Sequence, residues 1–535
     1  MVLLLLLAFS KRDEENRFNW ENMALACVFS LVFIGFWIVI TPYGSFADDI
    51  FNMGHVRWLV GEGSIPVGHQ NLWYFDFPGM HLLVTALAQL TGLGVFESRM
   101  LFLLVNAALF SVLLYILFAK LLKSNRLAFI GVMLVMMSSV MLIEKMHIFT
   151  PGALGYTLLA GFLVMMTSTE TRLLGTAISD RLLMLILFAA MVISYFATSF
   201  LAPLVLLGIY LLQKISRGKE AQVSLLTVVL LLVMVLAWEV YWTWKLFDSL
   251  AGFLPRLGDS MLSGGFLSIP FRLAQANVGG ELPLWATLTR TFWWASLGLG
   301  TILGLFNLFR ARSLGFSDKV VTGGLLGVIL LTIIGVFGTH GGQQFGRFLL
   351  YAPLLCIPLL LVFLSRIGGR LRTSYVLLTV LLLVVSLPTM LSSVNLVSTE
   401  AISPYECSAG RFMEANIRDK GEDDILYGLS SASKAWVYYY APDTRTKQVS
   451  EKAFYEKDEA EVWEETDKIV MDFRQEWVAL GTHKLFVLSE KDTTFYQHLL
   501  NILPEYPNWE ELAKQLAAEN RIFINGYVEM YAPTY

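Results

Sequence analysis

Two adjacent carboxylates, Asp48 and Asp49, stand in the stretch FADDIFN directly after the first long apolar block. At the edge of a membrane a carboxylate is costly where it faces lipid and useful where it faces a cavity. In a cavity it can act as a general base, taking a proton from an acceptor hydroxyl or amide. Otherwise such a pair caps a helix or is solvated in a loop. His55, His69, His81, His147 and His340, five of the seven histidines, fall between apolar blocks rather than inside them. No HExxH or comparable ligand spacing joins them, so polar groups lining a wet cavity describe them better than a metal centre. Asp248, Asp259 and Glu281 add acids in a later loop, each of which reads first as a solvated loop residue.

The elements that must position these groups are apolar helices. The 535 residues are 56% hydrophobic, with a mean hydropathy of +0.61, and the apolar sequence comes in long blocks. About 20 such residues cross the hydrocarbon as a helix, because lipid offers no partner to an open backbone. Spans are expected near 21–41, 100–119, 127–143, 153–168, 182–198, 201–213, 223–241, 291–309, 320–338, 348–364 and 374–394. The stretch 201–213 is short for a span of its own. Residues 79–93 (GMHLLVTALAQLTGL) are too short to cross and read as an amphipathic helix lying along the outer face.

Orientation follows from basic residues in the short loops. Lys11, Arg12, Arg17, Lys120, Lys123, Arg126, Arg172, Arg181, Lys214, Arg217, Lys219, Arg310, Arg312, Lys319, Arg366, Arg370 and Arg372 all fall on one side. That side is expected to be cytoplasmic, with the N-terminus inside and the C-terminus outside. Two large outer loops result, 42–99 and 242–290, the second framed by Trp242, Trp244, Trp285, Trp293 and Trp294 where it re-enters the interface. The apolar run Val2 to Phe9 is too short to span and lacks a small-residue cleavage site. The three cysteines, Cys27, Cys356 and Cys407, provide no disulfide framework.

Residues 395–535 differ in kind. They carry 25 acidic and 14 basic side chains, against 18 and 25 in the rest of the chain. Asp424 to Leu429 and Lys484 to Leu488 read as strands. Phe454 to Leu480 shows helical spacing through Val462, Trp463, Val470, Phe473 and Trp477. The end RIFINGYVEMY reads as two strands around the turn dipeptide Asn525-Gly526. The expected fold is an α-helical polytopic membrane protein of about eleven transmembrane helices, residues 1–394, with a small extracytoplasmic α/β domain at 395–535.

The stretch from Asp48 to about Met166 resembles the N-terminal part of the GT-C glycosyltransferases, polytopic enzymes that transfer sugars from polyprenyl-phosphate carriers. Three pieces carry the likeness: DDIFNMGHVRWLVGEGSIP, then FPGMHLLVTALAQLTGLGVFESRMLFLLVNAALFSVLLYILFAKLL, and the terminal INGYVEMY. The first is similar to the outer loop in which these enzymes place an essential acid. The resemblance implies catalytic roles for Asp48 and Asp49. The oligosaccharyltransferase branch adds acids in the next outer loop to complete a divalent-metal site. Here that loop reads EKMHIFTPGALGY, with Thr150-Pro151 where carboxylates would stand and only Glu144 nearby; the tail lacks WWDYG. A hard cation wants several oxygen ligands, so the resemblance points to the metal-independent branch, which uses monophosphate donors.

A monophosphate needs countercharge. Arg347, in THGGQQFGR at the mouth of the tenth span, suits it because a guanidinium gives bidentate hydrogen bonds; its bland alternative is an arginine snorkelling to the interface. Lys145 is the second candidate, and His340, His147 and His55 join them as expected substrate-binding residues. The resulting expectation is an inverting glycosyltransferase of the plasma membrane. It would need no cofactor, magnesium or manganese entering only in an oligosaccharyltransferase-like enzyme. Its partners would be the bilayer, a polyprenyl-phosphate-linked sugar, and a glycan or protein acceptor, with no nucleic acid. A lipid-linked-sugar flippase is the first rival, although flippases tend to show inverted repeats and broken helices. A non-catalytic assembly or receptor protein is the second.

Overall fold

The computed structural model describes residues 19–41, 47–65, 77–137, 148–168, 177–215, 223–243, 316–338 and 351–367. It also describes isolated residues between 295 and 306 and five strands within 425–532. The helices are α1 (Trp20–Ile40), α2 (Ala47–Glu62), α3 (Gly79–Thr91), α4 (Val95–Leu122), α5 (Asn125–Met137), α6 (Pro151–Ser168), α7 (Ala177–Ser194), α8 (Phe196–Ile215), α9 (Leu225–Tyr241), α10 (Phe316–Gly338) and α11 (Ala352–Ile367). Among the described residues, α1, α4 and α8 are long and apolar enough to cross a membrane by length and composition. The expected spans at 291–309 and 374–394 lie largely or wholly outside the described residues, as does the expected helix at 454–480.

α1 begins where Asn19 caps it, its side chain accepting from the N–H groups of Glu21 and Asn22, which satisfies donors a helix start leaves open. The same corner is tied to α4 and α5. Tyr115 donates to the Asn19 carbonyl at 3.1 Å and to Asn125 Oδ1 at 3.0 Å. α4 lies against α1, α5 and α6 and buries Leu103, Phe110, Leu114 and Phe118 along one side. It is longer than the block 100–119 suggested, because its first turn carries Glu97 and Arg99, residues a hydropathy window rejects.

The break between α7 and α8 falls at Tyr195, so α8 is a 20-residue helix rather than the short span expected at 201–213. Pro203 sits inside it; neighbouring helices make such a residue tolerable in an apolar bundle. α3 is 13 residues long and stops at Gly92, whose φ of +70° is the left-handed conformation glycine adopts without strain. One side of it is buried and carries polar as well as apolar residues. His81 and Thr85 are on the buried side with Met80, Val84 and Ala88, while Leu82, Leu83 and Leu90 are exposed.

The strands are β1 (Ile425–Gly428), β2 (Arg445–Gln448), β3 (Lys484–Ser489), β4 (Asn520–Ile524) and β5 (Val528–Ala532), forming one sheet in the order β2-β1-β3-β5-β4. β1 pairs in parallel with β2 and β3, placing Ile425 opposite Arg445 and Lys484. β5 is antiparallel to both β3 and β4, and the expected turn at Asn525-Gly526 lies outside the described residues.

Candidate active site

Asp49 sits in the first turn of α2, about one turn from Asn52 and nearly two from His55. Its carboxylate is fully buried, at 0% exposure, and so is the guanidinium of Arg99 from the first turn of α4. Arg99 donates twice, Nε to Oδ1 at 2.8 Å and Nη2 to Oδ2 at 2.6 Å. This fork-to-fork arrangement is the strongest geometry an arginine and a carboxylate can form. Arg99 Nη1 also donates to the Thr41 carbonyl at 3.4 Å, and the Phe149 backbone N–H donates to Asp49 Oδ1 at 3.1 Å. The pair therefore fastens the end of α1 through Arg99, the starts of α2 and α4 to each other, and the approach to α6 through Asp49. In a low-dielectric surrounding each partner would be very costly alone, so the two must be gained or lost together.

Asp48 belongs to the same first turn of α2, about 100° around the axis from Asp49. Asp49 accepts from both Arg99 nitrogens and from the Phe149 N–H, and so ties neighbouring segments of the bundle together. His55, the other described member of the expected site, is buried further along α2, and its Nδ1–H donates to the Phe51 carbonyl. The His55 ring lies 5.2 Å from that of His81 on α3. His81 Nε2–H donates to Asn52 Oδ1 at 2.7 Å. Burial holds His55 down at about 4 against the weaker opposite pull of the Phe51 carbonyl. Burial, and then the neighbouring His55, hold His81 well below the ordinary imidazole range. Both rings are therefore neutral at pH 7, and they join α2 to α3 as hydrogen-bonding groups rather than as cations.

Arg347, Lys145, His340 and His147 lie outside the described residues, as do Glu144, Asp248, Asp259 and Glu281. Among the described residues, no three of His, Cys, Asp and Glu gather at one point. The residues that sequence reasoning did not single out are Arg99 and Asn52, whereas His81 was read only as one of several polar groups between apolar blocks. Arg99 had a signal: an arginine at the border of a long apolar run demands a buried partner or a wet cavity. A second such signal is Glu239, buried in α9 and accepting a hydrogen bond from Thr243.

No family model matches the chain, and no curated protein does. The chain is similar to the crystal structure of ArnT from Cupriavidus metallidurans in the apo state, with 15% identity and a TM-score of 0.49, covering 95% of this chain and 97% of that one. It is also similar to the cryo-EM structure of arabinofuranosyltransferase AftD from Mycobacteria, with 14% identity and a TM-score of 0.47. There the likeness covers 97% of this chain and 42% of AftD, so this chain spans less than half of that protein's length.

Proposed function

We propose that the chain is a GT-C-type membrane glycosyltransferase that moves a sugar from a polyprenyl-monophosphate carrier to a protein, lipid or glycan acceptor on the non-cytoplasmic face. The observation that supports this reading is the buried Asp49–Arg99 pair. A desolvated ion pair in an otherwise apolar bundle marks a functional place by default, and this one fixes the helix turn that also carries Asp48. In the proposed reaction Asp48 takes the proton from the acceptor. The acceptor atom attacks the anomeric carbon opposite the phosphate, the carbon–oxygen bond to phosphate breaks, and the configuration inverts. Arg347 and Lys145 neutralise the departing phosphate as fixed cations, so no metal is needed. Asp49 and Arg99 position the base. The outer loops 42–99 and 242–290 enclose the cavity, and residues 395–535 guide acceptors on the same face.

Asp48→Asn should leave thermal unfolding unchanged and lower transfer by ~10²-fold or more. Transfer should continue in excess EDTA. Full activity in both Asp48→Asn and Asp49→Asn sinks the glycosyltransferase reading. Activity abolished by EDTA and restored by Mn²⁺ moves the chain to metal-dependent chemistry. The face is tested separately, by labelling Gln70→Cys and Ser450→Cys with an impermeant reagent, and both should react from outside.

A further inference from the structure

Beside the Asp49 junction lies a group of hydroxyls that the proposed chemistry leaves unused. Tyr156, on the second turn of α6, is buried to 1% exposure. Its ring stacks on that of Tyr351, which stands directly before α11, with centroids 4.6 Å apart and planes at 29°. The Tyr156 hydroxyl makes no hydrogen bond among the described residues, and neither does the buried Thr150 hydroxyl. Thr150 follows Phe149, whose N–H is bonded to Asp49, so these hydroxyls lie on the helix start that the carboxylate anchors.

A third element closes the group. A Cβ at Gly152 would meet Thr150 Oγ1 at 3.5 Å and Tyr195 Cζ at 3.6 Å. A Cβ at Gly155 would meet Tyr195 Cβ and Thr198 Oγ1, both at 3.1 Å. Two glycines one turn apart thus let the Tyr195 ring and two threonine hydroxyls lie close along α6. Buried polar atoms in a native fold find partners. Two buried hydroxyls with no partner among the described residues, and aromatic rings beside them, suit a ligand that offers hydroxyl groups and apolar faces together.

Resting on the glycosyl-transfer reading, we propose that Tyr156 and Thr150 hydrogen-bond the sugar ring of the donor, with Tyr351 and Tyr195 forming the walls of that subsite. Tyrosine and threonine carry no charge, so the group suits the sugar and leaves the phosphate to cations. A site that hydrogen-bonds a substrate hydroxyl also discriminates strongly against substrates lacking it, which makes this group the place where the identity of the sugar is read.

The test uses the full chain in detergent, with decaprenyl monophosphate carrying mannose, glucose or arabinose, and bare decaprenyl monophosphate as the control. Tyr156→Phe and Thr150→Val each remove a hydroxyl with little change of shape. Both should keep or raise the unfolding temperature, since neither hydroxyl is bonded among the described residues. Each should weaken binding of the preferred sugar-bearing probe by about tenfold, a loss of roughly 1.4 kcal/mol, and leave the bare carrier unaffected. Equal loss on both probes, no loss on either, or a lowered unfolding temperature would overturn the subsite. A wild-type chain that binds the bare carrier but no glycosylated one, or binds none of the probes, overturns the glycosyl-transfer reading on which it stands.

Discussion

Two helix contacts in this protein are built on opposite plans. Where α2, α4 and α6 meet, the contact is made of charge: Asp49 and Arg99 are buried face to face, and a backbone N–H completes the carboxylate. Where α8 meets α10, the contact is made of missing side chains. A Cβ on Gly208 would lie 2.4 Å from the Gly323 carbonyl oxygen, one on Gly323 would lie 2.5 Å from the Ile209 nitrogen, and one on Gly327 would lie 2.9 Å from the Val205 nitrogen. Small residues that let backbones approach are the general device for joining helices in lipid, where no hydrophobic force separates partner from solvent. The first plan is expensive and sets a geometry. The second is cheap and sets only a distance. A bundle that already holds by close approach has no need of a buried ion pair for cohesion, which is why the pair reads as part of a site.

Breaking the charged contact should have the largest effect. Arg99→Met leaves Asp49 buried and unpaired, and should cost about 3–5 kcal/mol, read as a steep fall in the detergent unfolding temperature. Asp49→Leu combined with Arg99→Met should recover most of that loss, apart from the orphaned Phe149 N–H, while transfer stays low. Recovery of transfer with recovery of stability would show that the pair is cohesion after all. At the glycine contact, Gly323→Ala should cost about 1–3 kcal/mol through overpacking, with transfer falling only as the folded fraction falls. A change in the rate per folded molecule would move that contact into the site.

Acid should reveal a smaller difference between the two regions. His55 and His81 are neutral in the fold and pick up protons more readily once unfolded. The unfolded state therefore binds more protons below about pH 6.5. The His55 contribution is fully present above that pH and is lost as pH falls toward about 4, at up to about 1.4 kcal/mol per unit, and the His81 contribution is lost in the same direction. Hydrogen exchange should accelerate in α2 and α3 between pH 6.5 and 5 and stay level in α8 and α10. His81→Asn should flatten the dependence.

The sequence and the fold agree where one stretch of chain decides the outcome. α1, α6 and α9 follow their apolar blocks, and β1, β3 and the antiparallel pair β4–β5 stand where strands were expected. The reading failed where the decision is made by something distant. Arg99 looks like a loop residue until Asp49, fifty positions earlier, is seen to neutralise it. β2 has the sequence RTKQ, without an apolar residue, and is a strand because β1 lies beside it in parallel register. In α3 the periodicity separates two faces but cannot say which one turns inward; Asn52, on another helix, draws His81 and settles the matter. Of the two aspartates, spacing alone could not tell that Asp49 is the one paired with Arg99.

The exposed leucines of α3 also change what counts as the folded molecule. Leu82, Leu83 and Leu90 are 43%, 50% and 87% exposed on a helix whose other side carries the histidine bonded to Asn52. Whatever hydrocarbon covers those leucines stabilises α3, and through His81 it stabilises α2 and the turn that holds both aspartates. Amphiphile is in this respect a ligand of the native state, and the stability of the native state grows with the logarithm of its free concentration. Delipidation then acts on the carboxylates by mass action, without touching them.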